Sequence, residues 1–457
     1  MTIQLSDHFT YGRLLRFTIP TMVMMVFTSI YGVIDGLFVS NFVGKEAFSA
    51  LNLIYPLIMM LGALGFMFGT GGAALVAKTL GEKNRKRANG LFSFIVCATV
   101  VAGVLSLVVV LLAVRSVGQL LGADGSLLDQ AVLYGGILAF SLPFLMLQES
   151  FQSFLAAAGK PKVGLAVIVG AGVANIILDA LFIILFGWGL AGAALATAVS
   201  EVIGGVVPLV YFLRKNQSML RLEKPLVDFR ALGKACANGS SELVSNISMS
   251  LVAMLYNYQL MQFLGADGVA AYGVIQYLMW IFISLFLGFS VGSSPLIAYQ
   301  FGAGNKAELS NLFRKCFVSV ATMNIFLTVL ALLIARPIAL LFVGYDSGVT
   351  ELTTHALSIY SFVFLVAGFN VFGSAFFTAL NNGLVSALIS FIRTLVFEVA
   401  AILILPAFFG EMGIWSSIIV AEGASVLMTM MFLFALRNRY GYMESHTGVL
   451  CECKKSF

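Results

Sequence analysis

The stretch from Leu14 to Ser40 limits what this chain can fold into more than any other. LLRFTIPTMVMMVFTSIYGVIDGLFVS is an almost unbroken apolar run long enough to cross a bilayer, with Pro20 near its start and one carboxylate, Asp35, near its end. A soluble core helix of this length would carry a polar stripe, and this one has none. Asp35 is therefore set at bilayer depth. A charge there costs about 2.5–3.5 kcal/mol on insertion scales and marks a functional site by default.

Similar runs recur along all 457 residues, of which 60% are hydrophobic and only 10% charged, against roughly a quarter charged in soluble domains. The expected fold class is an all-α polytopic membrane protein with twelve transmembrane helices. They are placed at roughly 14–40, 50–73, 90–113, 131–157, 163–186, 189–213, 236–262, 269–298, 315–337, 352–379, 384–407 and 412–436. The short alternating segments of a membrane barrel are not in the sequence. The first residues, MTIQLSDHFTYGRLL, lack a short apolar region with a small-residue cleavage site, which predicts no removable signal peptide. Five scattered cysteines, Cys97, Cys236, Cys316, Cys451 and Cys453, argue against a disulfide framework.

With the N-terminus inside, 22 of the 26 Lys and Arg fall in inside loops and tails. Lys45, Arg115 and Arg336 fall outside, and Arg393 within a span. This bias predicts a multi-pass protein of the cytoplasmic (plasma) membrane with both termini cytoplasmic. The net charge of +5 is then an orientation signal and implies no nucleic-acid partner. The basic stretch RKNQSMLRLEKPLVDFR separates six spans from six. The expected division is an N-terminal lobe over 1–213, a cytoplasmic linker over 214–235, a C-terminal lobe over 236–436 and a cytoplasmic tail over 437–457.

A shift of 221 residues brings the halves into register. GTGGAALVAKTLGEKN falls on SVGSSPLIAYQFGAGN, pairing Gly71 with Gly292, Gly81 with Gly302 and Asn84 with Asn305, and later Glu201 with Glu422. Both halves start inside, so a pseudo-twofold axis along the membrane normal should relate them, with a substrate cleft between. The acids are not repeated. Asp35 falls on Tyr256, Asp179 on Ala400 and Thr197 on Ile418, which assigns any ion chemistry to the N-terminal lobe.

Span five carries Asn175 and Asp179 four residues apart on one helical face, and span six carries Thr197. At about 1.5 Å per residue, Asp35, Asp179 and Thr197 reach a similar level in the outer half of the bilayer. Two carboxylates at one depth repel unless a proton or cation lies between them. A set of oxygen donors suits H+ or Na+ and not zinc or copper.

These features resemble the multidrug and toxic compound extrusion (MATE) family over essentially the whole chain, and within it a DinF-like prokaryotic branch. The resemblance is carried by the two six-span repeats, by Tyr31-Gly-Val-Ile-Asp35 followed by Gly44, and by the Gly81-x-x-Asn84 and Gly302-x-x-Asn305 loops. It also rests on Asn175-x-x-x-Asp179 with Thr197 eighteen residues on. The resemblance implies a cation site at Asp35, Asn175, Asp179 and Thr197, holding Na+ if the protein is sodium-coupled, and a bend of the first helix at Pro20. The implied activity is antiport by alternating access, exporting organic, mostly cationic and amphipathic compounds in exchange for H+ or Na+. No cofactor beyond the coupling ion is implied, and a monomer is expected. The sequence departs from the NorM-like pattern. Span ten has no acidic residue, so no C-lobe sodium site carries over, while Glu242 in span seven resembles a glutamate used in that branch.

The other polar residues within spans have two readings each. Glu201 and Glu422 fit symmetric gating groups or helix-packing glutamates. Arg393 and Glu398, five apart, should each seek a partner on another helix. Tyr134, Gln148 and Gln152 are candidate cleft contacts, and Glu149, near the inner end of span four, reads as a side chain that snorkels. The run Gly69-Thr-Gly-Gly72 is followed by no Gly-Lys-Ser/Thr, so no nucleotide is expected to drive the protein. The rival reading is a lipid or lipid-linked oligosaccharide flippase, which would need a cationic cluster in its cleft where this chain has only Arg393. An intramembrane enzyme is not expected: His8 and His446 lie in tails and His355 at an outer end.

Overall fold

The computed structural model describes residues 4–443 except 122, 217 and 345. Cys451, Cys453 and His446 lie outside the described residues. Every regular element among these residues is helical. The helices are α1 (Tyr11–Val43), α2 (Lys45–Gly81), α3 (Arg85–Leu120), α4 (Gly125–Ala157), α5 (Pro161–Leu185) and α6 (Gly189–Leu213). A helical stretch Phe229–Gly302 is broken at Gly265 into α7 and α8. Then follow α9 (Lys306–Val343) and α10 (Ser347–Ala379), and Gly383–Ala435 is broken at Gly410 into α11 and α12. The twelve membrane helices form two lobes of six. Most outrun their apolar cores by several residues, α3 for instance beginning at Arg85 and not near residue 90. Hydropathy marks the hydrocarbon slab, whereas the backbone ladder continues into the headgroup layer. Of the twelve, α7 is too polar to stand out by hydropathy, carrying Ser240, Ser241, Glu242, Ser245, Asn246 and Ser248.

The repeat is visible in the backbone. Positive-φ turns recur one repeat apart: Gly44 with Gly265, Lys83 with Gly304, and Gly189 with Gly410. The Gly-x-x-Asn loops also gain a physical meaning. Asn84 caps α3 by accepting from the Arg87 amide at 3.1 Å, and Asn305 caps α9 by accepting from the Glu308 amide at 3.1 Å. Such a cap is worth about 1 kcal/mol. The preceding glycines let α2 and α8 touch. A Cβ on Gly81 would lie 2.0 Å from the Tyr299 carbonyl oxygen, and one on Gly302 2.0 Å from that of Lys78. These are the same contact seen from the two sides of the pseudo-twofold axis.

The apolar cores show how the lobes sit. One large cluster, at the end carrying the termini and most basic residues, draws on both lobes, from Leu14, Phe68 and Phe92 to Phe289, Phe313 and Phe376. At the opposite end the clusters are separate. One, around Ile54, Tyr134 and Leu190, holds only first-lobe residues, and the other, around Tyr256, Tyr360 and Trp415, only second-lobe residues. The lobes are thus sealed at the basic end and part toward the other.

Two straps cross the sealed end. Residues 4–10 dock on the second lobe: Leu5 and Phe9 are fully buried, the Phe9 amide donates to Glu308 Oε1 at 2.8 Å, and Gln300 Nε2 donates to the Leu5 carbonyl at 3.0 Å. His8 Nδ1 lies 2.6 Å from Glu308 Oε2. The non-helical segment before α7 docks on the first lobe. The Leu226 amide donates to the Gly90 carbonyl at 3.0 Å, and Glu223 Oε1 accepts from Asn89 Nδ2 at 3.0 Å.

Candidate functional site

In α1, Asp35 sits one turn before the helix loosens into a π-helical stretch, Val39–Val43. In α5, Asp179 directly precedes another, Ala180–Leu185. Wide turns of this kind recur at functional sites because they free backbone groups and re-aim side chains. Asp35 is 8% exposed and Asp179 fully buried. Their carboxyl groups face each other at hydrogen-bonding range. No protein donor reaches Asp35 Oδ1 or either oxygen of Asp179. Two ionised carboxylates cannot hydrogen-bond each other, so a shared proton or an intervening cation is what makes this contact favourable.

Asn175, one turn before Asp179, is buried with both amide atoms unpartnered, and the buried Thr197 hydroxyl on α6 is unpartnered too. A buried polar atom without a hydrogen bond costs about 1–3 kcal/mol. The unpartnered Asn175 amide, one turn from the Asp179 carboxyl, adds an oxygen of the kind a proton or hard-cation site uses. Among the described residues no group of three or more His, Cys, Asp or Glu is placed to hold a metal ion.

More polar groups line the same lobe interior. Tyr134, fully buried on α4 with an unpartnered hydroxyl, lies in the electrostatic field of Asp35, Asp179 and Glu201. Glu201 lies against Ser141, with Asp35 close by. Gln148 lies against both Tyr31 and Glu149, and Gln152 Nε2 donates to Glu149 Oε2 at 2.9 Å. Here the structure differs from the snorkelling expected of Glu149. The side chain is 7% exposed and points into the lobe, because Gln148 and Gln152 offer it partners there. Tyr31, which the sequence offered only as the start of the Tyr31-Gly-Val-Ile-Asp35 motif, and Tyr55, which it did not offer, also belong to this interior. Apolar flanks hide a tyrosine whose hydroxyl alone is functional.

The second lobe answers its acids internally. Arg393, within the π-helical stretch Ile392–Glu398, reaches Glu422 on α12: Nε donates to Oε1 at 2.7 Å, and Nη2 lies 2.6 Å from the same oxygen. Glu422 Oε2 accepts from Asn370 Nδ2 at 2.6 Å, and Asn370 Oδ1 accepts from Thr429 Oγ1 at 2.9 Å. Glu398 and Glu242 lie within the field of the same guanidinium. Arg393 is therefore neutralised by carboxylates and is no free cation for a pyrophosphate. Pro20 is buried in α1, which runs through it without a non-helical residue.

Comparison with known proteins bears on the family and the fold. The MatE family model matches the chain twice, over residues 20–181 and 243–404, once in each half. The chain is 26% identical over 430 residues to the multidrug export protein MepA of Staphylococcus haemolyticus, covering 94% of each, and 25% identical over 432 residues to MepA of Staphylococcus aureus strain MRSA252, again covering 94% of each. These relatives are transporters and not enzymes. Among solved structures, a MATE protein in complex with MaL6 superimposes with a TM-score of 0.89 at 22% identity, covering 94% of this chain and 98% of that one. An outward-facing multidrug resistance MATE family transporter superimposes with a TM-score of 0.88 at 22% identity over the same shares. A repeat-matching family model, relatives spanning nearly the full length and a shared two-lobe fold agree: the chain belongs to the MatE family of multi-pass membrane transporters.

Proposed function

We propose that the protein is a secondary antiporter that exports organic, mostly cationic and amphipathic compounds in exchange for H+ or Na+, acting as a monomer with both termini in the cytoplasm. The observation that carries this reading is the Asp35–Asp179 pair, buried face to face without a donor. The export role of the MepA relatives supports the substrate class. The charge bias supports the orientation, in which the sealed basic end is cytoplasmic and the conformation described is open to the outside.

In this reading α1 is the moving part, since Asp35 sits on it and its outer end runs into a π-helical stretch beside that of α5. Ion binding across Asp35 and Asp179 removes their repulsion and favours one position of α1, and organic cation in the cleft favours the other. A ligand moves such an equilibrium only by its difference in affinity for the two states. Alternating access follows when each ion-bound or cation-bound form prefers a different opening.

The test is export of a fluorescent organic cation from vesicles under an imposed pH gradient and, separately, a sodium gradient. Asp35→Asn and Asp179→Asn should each lose gradient-driven export at least tenfold. Unchanged export in both would remove the pair from coupling.

A further inference from the structure

Two further carboxylates, Glu201 and Glu149, lie deeper in the first lobe than the outer pair. Four acids, Asp35, Asp179, Glu201 and Glu149, are buried inside this lobe, and among its described residues no Lys or Arg is buried with them. The second lobe differs, because Arg393 is set among its three acids. At roughly 1.5 Å per residue, Asp35 and Asp179 lie about 9–12 Å below the outer ends of their helices. Glu201 is at the midpoint of α6, and Glu149 is about 12 Å above the cytoplasmic end of α4. The four acids form a descending series.

The gaps between them are polar. The Tyr31 hydroxyl is in the field of Asp35, Glu201 and Glu149 and lies against Gln148. Around Glu201 stand Asp35, Ser141, Tyr31, Tyr55, Tyr134 and Glu149. Around Glu149 stand Glu201, Gln148, Gln152, Tyr31 and Tyr55. Gln148 is pressed onto α6 so closely that a Cβ on Gly204 would lie 1.8 Å from its Oε1. Below Glu149, Ser150, Ser153 and Gln152 Oε1 are buried without partners, as is Glu201 Oε2. A glutamate serving only to join helices would have a donor on each buried oxygen, which Glu201 Oε2 lacks, since unpartnered buried acceptors weaken a packed interface.

We propose that Glu201 and Glu149 are the inner leg of a proton path, carrying a proton from the Asp35–Asp179 pair through the first lobe to the cytoplasmic end. The proposal rests on the antiport reading and commits it to H+, since acids spread singly down the lobe suit a proton passed from one to the next, and among the described residues no group of three or more of them is placed to hold a metal ion. Each step moves one proton from a carboxylic acid to the next carboxylate, by way of the Tyr31 hydroxyl or a water molecule, and leaves the donor ionised for the next proton. One proton enters from outside and one leaves inside per cycle, and the pair passes its proton to Glu201 only once α1 has moved, so the transfer is tied to export of the organic cation.

The test uses the full-length protein in vesicles with ethidium as the transported cation. Glu201→Gln and Glu149→Gln should each reduce accumulation driven by a pH gradient at least tenfold. Ethidium affinity of the detergent-solubilised protein should change less than threefold, and Glu149→Asp should recover part of the transport. Transport within threefold of the parent in both Gln variants would overturn the path, provided Asp35→Asn is inactive. A parallel loss of ethidium affinity would also overturn it, making these residues substrate contacts. If Asp35→Asn itself transports like the parent, the antiport reading fails instead, so the two failures are distinguishable. Should Glu149→Gln not fold, Glu201→Gln decides, read as proton release on ethidium addition: release at the parental rate overturns the path.

Discussion

The α2–α8 crossing at the sealed end offers a perturbation whose size can be worked from the structure. A methyl group at Gly81 would lie 2.0 Å from the Tyr299 carbonyl oxygen, and one at Gly302 2.0 Å from that of Lys78. The ordinary limit for a carbon against a carbonyl oxygen is about 3.3 Å, so each alanine forces the helices apart by more than about 1 Å. Overpacking of this kind costs about 1–3 kcal/mol, and only the state sealed at this end bears it. Gly81→Ala should therefore shift the ratio of sealed to open forms by about 5- to 150-fold. Because both contacts belong to one crossing, opening it for the first methyl relieves the second. The double variant with Gly302→Ala should then fall short of the sum of the singles. The readout is maleimide labelling of Ala74→Cys in a background without the native cysteines. Ala74 is 1% exposed at this end, and its carbonyl accepts from Asn381 Nδ2 of the second lobe at 3.5 Å. Labelling should be slow in the parent and at least fivefold faster with either alanine. Unchanged labelling in both singles, or full additivity in the double, would refute the reasoning.

Three further outcomes follow from named contacts. Arg393→Met leaves Glu422 as a buried, unneutralised carboxylate and should destabilise the protein by about 3–5 kcal/mol, with Glu422→Gln in the same chain restoring most of the melting temperature; equal melting of single and double variants would contradict this. Glu308→Ala strands the Phe9 amide and should cost about 1–3 kcal/mol at the first strap, measured as faster proteolysis within residues 4–10 with slower change elsewhere. Asn175→Leu removes two unpartnered buried amide atoms and should leave thermal stability equal or higher while lowering gradient-driven export at least tenfold; a clear drop in melting temperature with normal export would reverse the assignment.

The sequence made the architecture legible because two strong signals act on the whole chain: apolar runs of fixed length, and a repeat anchored on Gly44/Gly265 and Gly81/Gly302. It also placed Asp35 and Asp179 at one depth, since rise per residue sets depth along a straight helix. Depth does not give direction around the helix axis, and for that reason the contact between the two carboxyls needed the structure. Glu149 shows a related gap: distance from the helix end suggested a snorkelling side chain, but Gln148 and Gln152 turn it inward. The straps at Leu5 and Phe9 escaped notice because a few residues before a helix carry no periodicity, and their partners on α8 and α9 are some three hundred positions away. Arg393 gave no sign of its partner Glu422 because the two belong to different helices, paired only by packing.

The most direct measurement is difference infrared spectroscopy of the purified protein between acidic and alkaline buffer, following the carbonyl stretch of protonated carboxylic acids. If one small positive ion is held between the α1 and α5 acids, a band present in the parent should be lost or shifted in Asp35→Asn and again in Asp179→Asn. Bands identical in the parent and both variants would mean the two groups share nothing, and the account of coupling built on them would fall.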